Sequence, residues 1–151
     1  MGATCYVTSS SIEKIEFAKS LGATDGFLYT EADWEKPAKK ACGGVDVIID
    51  GAGGSGFSKL LKLSNPGARI AVYGGTSGVW ENLRPADVFY KQVNIFGTTM
   101  GSDLDFKEML QFVTSNKIQP HIDSCYPLSE GSLAIERMES GLQLGKIVLN
   151  M

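Results

Sequence analysis

At 151 residues the chain holds one domain by the usual ~100–200 residues per domain. Its 14 Lys and Arg stand against 17 Asp and Glu, a formal net charge of -3 with no basic run, which argues against a general nucleic-acid binder or a polybasic membrane binder. Apolar runs reach only a few residues, far short of the ~20 that cross a bilayer, and no basic start with an apolar stretch signals export, so a soluble, cytoplasmic protein is expected.

Cys5, Cys42 and Cys125 are too dispersed for a disulfide framework or a zinc spacing and read as ordinary thiols. Gly is the unusual residue, 18 of 151, about twice the usual ~7%, and without low-complexity tracts it implies many tight turns.

In chain order, the β-rich run Ala3 to Thr8 predicts a strand, and Ser10 with Glu13 has the spacing of a capping box opening a helix through Ile15, Ala18 and Leu21 to Gly22. A short strand, Gly26 to Tyr29, and a helix, Glu31 to Cys42, kinked near Pro37, follow. Val45 to Asp50 has the pattern of a strand buried on both faces. A brief helix, Phe57 to Leu63, leads through the turn Asn65-Pro66-Gly67 into a strand, Arg69 to Tyr73. Further on come a short helix at Pro85 to Tyr90 and a strand at Val93 to Thr98. Ser102 and Asp105 then cap an amphipathic helix carrying Phe106, Met109, Leu110 and Val113 on one face. A strand at Ile122 to Tyr126, a helix from Ser129 to about Ser140 and a strand at Lys146 to Asn150 end the series. Alternating strands and helices predict an α/β fold, a doubly wound (Rossmann) parallel sheet.

Such sheets bind ligands at the carboxyl ends of their strands. Gly51-Ala52-Gly53-Gly54-Ser55-Gly56 follows a strand, precedes a helix and satisfies G-x-G-x-x-G. The acid that should follow ~20 residues later is missing, since Tyr73, Gly74, Gly75 and Thr76 stand there. Three readings stay open: the first turn of a dinucleotide fold, a later turn whose glycines admit a ribose or nicotinamide, or glycines needed only for turning.

At the end of the first strand, Ser9, Ser10 and Ser11 converge with a helix N-terminus and Lys14. Hydroxyls, backbone N–H groups and a cation suit a phosphate dianion where an acid would select NAD. An ordinary capped helix is the plain alternative. If Ala3 to Thr8 is the second strand of the fold, the first strand and the glycine fingerprint turn lie before this chain. It would then be a fragment or a truncated homologue. The strands Ala3 to Thr8 and Val45 to Asp50 would each keep one unpaired side.

Gly2-Ala3, Thr8-Ser9-Ser10-Ser11, Glu13-Lys14, Leu21-Gly22-Ala23, Gly44-Val45-Asp46-Val47-Ile48-Ile49-Asp50, Gly67, Arg69-Ile70, Tyr73-Gly74 and Gly145-Lys146-Ile147-Val148-Leu149 together resemble the C-terminal nucleotide-binding half of the medium-chain dehydrogenase/reductase superfamily. The zinc-type alcohol dehydrogenase and quinone oxidoreductase branches are the most similar. The resemblance implies that Ser9, Ser10, Lys14 and Tyr29 hold the 2′-phosphate of NADP(H). It places Gly51, Gly53, Gly54, Tyr73, Gly74 and Thr76 along the path of ribose and nicotinamide. Met100 and Gly101 would lie near the nicotinamide end and the dimer strand, and residues from about 120 to 151 would return toward a catalytic domain.

The implied function is hydride transfer between nicotinamide and an alcohol or aldehyde, a quinone or an activated alkene, in a parent enzyme that takes a small-molecule substrate and forms a homo-oligomer. Zinc would belong only to the absent catalytic domain. No catalytic residue is assigned, and His121, the single His, reads as a loop or surface group. The isolated chain is expected to be inactive.

A non-catalytic NADP-binding or regulatory module that has lost its catalytic domain is the rival reading. A short-chain dehydrogenase is disfavoured because no Tyr-x-x-x-Lys occurs. In a methyltransferase reading of Asp50 and the following glycines, Ala52 breaks the acid-x-Gly register.

Overall fold

Glycine-bounded apolar runs become strands, and the capped, amphipathic stretches between them become helices, over residues 2–151, which the computed structural model describes. The strands are β1 (Tyr6–Ser9), β2 (Asp25–Leu28), β3 (Val45–Asp50), β4 (Ser64–Val72), β5 (Asn94–Gly97), β6 (Ile122–Pro127) and β7 (Lys146–Asn150). The helices are α1 (Ile12–Ser20), α2 (Glu35–Cys42), α3 (Phe57–Leu63), α4 (Pro85–Phe89), α5 (Asp103–Ser115) and α6 (Gly131–Glu139). Strands pair in the orders β1-β2, β3-β4-β5 and β6-β7, and every ladder is parallel. Parallel neighbours require crossover connections, and helices supply them. Among the described residues, β1 is paired only with β2, and β3 only with β4. The chain forms two compact units, residues 2–99 and 100–151.

In the first unit, Phe57, Leu61, Ile70 and Val93 form one buried cluster, on which Ile48, Val72, Val88 and Ile95 pack. Trp34, Ala38 and Leu63 form a second, shared by Phe27 of β2 and Val45 of β3. Glu35 is buried beside it, with Lys62 at 3.0 Å and Lys59 at 3.8 Å. Burial pushes this carboxyl up, but the Lys62 hydrogen bond, a backbone N–H and the charges of Lys62 and Lys59 together outweigh it and hold the acid below its ordinary range.

Several expectations shift. The first strand spans Tyr6–Ser9 rather than Ala3 to Thr8, because its ladder is set by the four residues of β2, from Tyr6 opposite Asp25 to Ser9 opposite Leu28. The cap of α1 is Ser11, not Ser10, and its hydroxyl accepts the Lys14 N–H at 3.5 Å. The second helix starts at Glu35, so Pro37 falls in its first turn, where N–H groups lack intrahelical acceptors and proline costs little.

β4 starts at Ser64 and takes in Asn65-Pro66-Gly67 as an irregularity. Val45 is opposite Ser64, whereas Val47 is opposite Arg69, and Gly67 has φ +76°. The expected turn is thus a bulge within the strand. Two ammonium groups secure the preceding helix end. Lys91 Nζ donates to the carbonyls of Leu61 (2.7 Å), Lys62 (3.1 Å) and Ser64 (2.9 Å), and Lys39 Nζ donates to that of Leu63 (3.2 Å).

β3 is not buried on both faces. Ile48 faces the core, while Val47 and Ile49 are exposed, as is Phe96 in register with Ile49 through Ala71. Among the described residues no helix of this unit covers that face, and a strand's apolar pattern cannot supply its own cover.

In the second unit, α5 opens with the expected capping box of Ser102 and Asp105. Its apolar residues Phe106, Met109 and Leu110 stay exposed, since within this unit α6 rather than α5 packs on β6 and β7. Asp123 of β6 ties the unit together. Its carboxylate accepts Arg137 Nε and Nη2 (2.5 and 2.7 Å), the Ser124 hydroxyl (2.8 Å) and the Leu144 N–H (2.8 Å). These donors, Arg137 foremost, hold the Asp123 carboxyl far below the usual carboxylate range.

Candidate functional site

The parallel ladder brings the carboxyl ends of β1 and β2 together. The Tyr29 N–H donates to the Ser9 carbonyl at 3.0 Å, so the residues after β2 lie beside those after β1. Ser9 turns its hydroxyl onto the Ser11 N–H at 3.3 Å, which shapes the entry into α1. Ser11 is spent on the cap, leaving Ser10 exposed, Lys14 half-buried in the first turn and Tyr29 exposed. The first turn of a nine-residue helix also presents N–H groups without intrahelical partners. Hydroxyls, a helix N-terminus and a lysine of the first turn therefore meet at one strand end, residue types suited to a phosphate dianion. A small cleft of about 190 Å³ lies alongside, between Ile12, Phe27, Leu28, Glu31, Trp34 and Pro37.

The second group stands at the carboxyl ends of β3 and β4. The Tyr73 N–H donates to the Asp50 carbonyl at 3.0 Å, which aligns the two exits. The buried Asp50 carboxylate accepts the N–H groups of Ala52 (3.2 Å) and Gly53 (3.1 Å) and so bends the chain into the glycine turn. Gly53 and Gly54 have φ +67° and +68°, a conformation that side chains resist.

Their freedom is used by the chain itself. The Gly54 N–H donates to the Gly78 carbonyl (2.9 Å) and the Ser77 N–H to the Ala52 carbonyl (2.8 Å). A Cβ on Gly54 would meet the Ser77 carbonyl oxygen at 2.6 Å, and one on Gly51 would meet the Tyr73 ring at 2.6 Å. A Cβ on Gly74 would meet the Gly51 carbonyl oxygen at 2.6 Å. Gly51, Gly53, Gly54, Tyr73 and Gly74 thus form one backbone lattice with loop 74–78, and the exposed Thr76 sits at its rim. Met100, exposed with φ +50°, and Gly101, against the Asp105 side chain, belong to the second unit.

Two roles escaped the sequence reading. Asp50 has a turn-shaping role, signalled only by an acid directly before glycines. Trp80 stacks on Phe57 with centroids 3.9 Å apart and 8° between planes, a contact with no local signature. All three Cys are free thiols, and among the described residues no three of His, Cys, Asp and Glu gather as metal ligands. No helix of the described residues is long and apolar enough to cross a membrane.

Residues 1–115 match the family model described as zinc-binding dehydrogenase. The zinc-type alcohol dehydrogenase-like protein YogA of Leptosphaeria maculans is 36% identical over 100% of this chain and 45% of its own length. An NAD-dependent alcohol dehydrogenase of Sulfolobus acidocaldarius is 30% identical over 93% of this chain and 41% of its own. Among solved structures, a crystal structure of an NAD-dependent alcohol dehydrogenase aligns with TM-score 0.90 at 34% identity, covering 99% of this chain and 44% of that one. The chain thus spans less than half the length of these relatives. Parallel ladders throughout, helical crossovers and this agreement make the fold a doubly wound, Rossmann-type α/β arrangement, and the chain belongs to the zinc-binding dehydrogenase family.

Proposed function

We propose that this chain is the NADP(H)-binding part of an oxidoreductase that moves hydride between nicotinamide and an alcohol or aldehyde, a quinone or an activated alkene. One observation carries the choice of cofactor: β1 runs out into Ser9, Ser10 and Ser11 where an NAD-selecting fold holds an acid, with Lys14 in the first turn of α1 and Tyr29 bonded alongside. Two of the relatives are named NAD-dependent, so the distinction rests on these residues alone.

Bound nicotinamide would supply the hydride chemistry. The chain's own part is to bind and orient. Ser9, Ser10, Lys14 and Tyr29, with the first turn of α1, would meet the 2′-phosphate. The backbone at Gly51–Gly54 and Tyr73–Thr76 would form the wall toward the nicotinamide end. No catalytic residue is assigned to this chain, and the isolated chain is proposed to be inactive. A cytoplasmic setting, where its thiols stay reduced, is part of the same proposal.

Calorimetric titration of the intact oxidoreductase tests the assignment. NADPH should bind more tightly than NADH, and Lys14→Glu should remove most of that preference. A charge-assisted contact worth ~1.5–3 kcal/mol corresponds to about tenfold or more. Equal affinities in the unmodified protein would refute the NADP(H) reading.

A further inference from the structure

Loop 74–78 contains three glycines, Gly74, Gly75 and Gly78, and by itself would sample many conformations. It is nonetheless held against the glycine turn by two backbone bonds, Gly54 to Gly78 and Ser77 to Ala52. The segment that follows is exposed from Val79 through Leu83. Its anchor is aromatic. The Trp80 ring lies nearly parallel to that of Phe57, the fully buried first residue of α3, and its indole nitrogen reaches to 3.6 Å of where a Gly53 Cβ would stand. Phe57 directly follows the glycine turn, so the stack joins the far end of the loop to the helix on which the turn ends.

We propose that Trp80 is a positioning residue for the dinucleotide: its stack on Phe57 latches loop 74–78 across the glycine turn and fixes the wall that the nicotinamide end meets. The latch rests on the reading that nicotinamide dinucleotide passes over Tyr73–Thr76. Trp80 does no chemistry and need not touch the ligand. It holds Gly74, Gly75 and Thr76 in the conformation that binding requires, so ordering of the loop is complete before the ligand arrives.

The test compares Trp80→Ala with Trp80→Phe in the intact oxidoreductase, with two readouts. Without nucleotide, hydrogen exchange at the Gly54 and Ser77 amides should rise about tenfold or more in Trp80→Ala, while amides of β4 keep their protection. By calorimetry, NADPH affinity should fall about tenfold in Trp80→Ala and return to within about threefold of the unmodified protein in Trp80→Phe, which keeps an aromatic stack. Unchanged exchange at Gly54 and Ser77 would overturn the latch. Raised exchange with unchanged affinity would make the stack merely structural and overturn the positioning role. If the unmodified protein binds neither NADPH nor NADH, the cofactor reading fails and the positioning role with it, and the exchange arm still reports whether the latch exists.

Discussion

The Asp50 carboxylate accepts the Gly53 N–H at 3.1 Å from within the buried end of β3. One acid thereby sets the direction in which the chain leaves the sheet. Asp50→Ala strips the turn of its acceptor and leaves the Ala52 and Gly53 N–H groups unpaired. A lost bond to a charged group is worth about 1.5–3 kcal/mol, and urea unfolding should register a loss of that order. Asp50→Asn keeps an acceptor oxygen and should cost about half as much.

The glycine turn separates two kinds of glycine. Gly54 has positive φ, and a Cβ there meets the Ser77 backbone at 2.6 Å, so Gly54→Ala should destabilise by about 2–4 kcal/mol, combining left-handed strain with overpacking. Gly56 has φ -69°, with open space where a Cβ would point. Gly56→Ala should be neutral or stabilising by up to ~1 kcal/mol, because it restricts only the unfolded chain. The same denaturation curves measure both.

Asp123 gives the second unit an acid-sensitive tie. Its carboxyl is depressed by Arg137, the Leu144 N–H and Ser124. For a group whose folded pKa lies below its unfolded one, the stabilisation is fully present above the unfolded value, ~3.9, and is lost as pH falls toward the folded value. Unfolding of the unmodified chain should therefore become easier as pH drops below about 4–5. Asp123→Asn should be less stable at neutral pH and show a shallower acid limb. A thermal-unfolding series from neutral to strongly acidic pH checks both.

The exposed face of the β3-β4-β5 sheet carries Val47, Ile49 and Phe96, and among the described residues β1 and β3 each retain a side without a ladder partner. Open edges and apolar faces invite association. We propose that the isolated chain self-associates, with apparent mass by light scattering rising with concentration, and that Ile49→Lys reduces the rise. A concentration-independent monomer would count against this.

Legibility followed locality. Val45–Asp50, Phe57–Leu63 and Lys146–Asn150 fall where the sequence predicts them, because apolar runs end at glycines or turns on each side. The cap of α1 moved by one residue because Ser9, Ser10 and Ser11 are chemically equivalent until backbone geometry selects one. Asn65-Pro66-Gly67 has turn chemistry, and nothing local reveals that the strand resumes beyond it in register with β3. The exposure of Val47, Ile49 and Phe106 was hidden because an apolar face reports that it wants a neighbour, not that one exists. The gathering of Ser9 and Ser10 at the end of the first strand was legible, because it lies in one short stretch of sequence. The closing of the glycine turn by Ser77 and Gly78 was not, since it joins segments more than twenty residues apart.

The ammonium of Lys91 has one more consequence, for the order of events in folding. Its acceptors on Leu61 and Ser64 lie 30 and 27 residues earlier in the chain, so no local segment can form these bonds before β4 and the approach to β5 have come together. We propose that these bonds close after the rate-limiting step of folding. Replacing Lys91 with Met should leave the refolding rate nearly unchanged and shorten the lifetime of the native state, placing this side chain among those that slow escape from the fold.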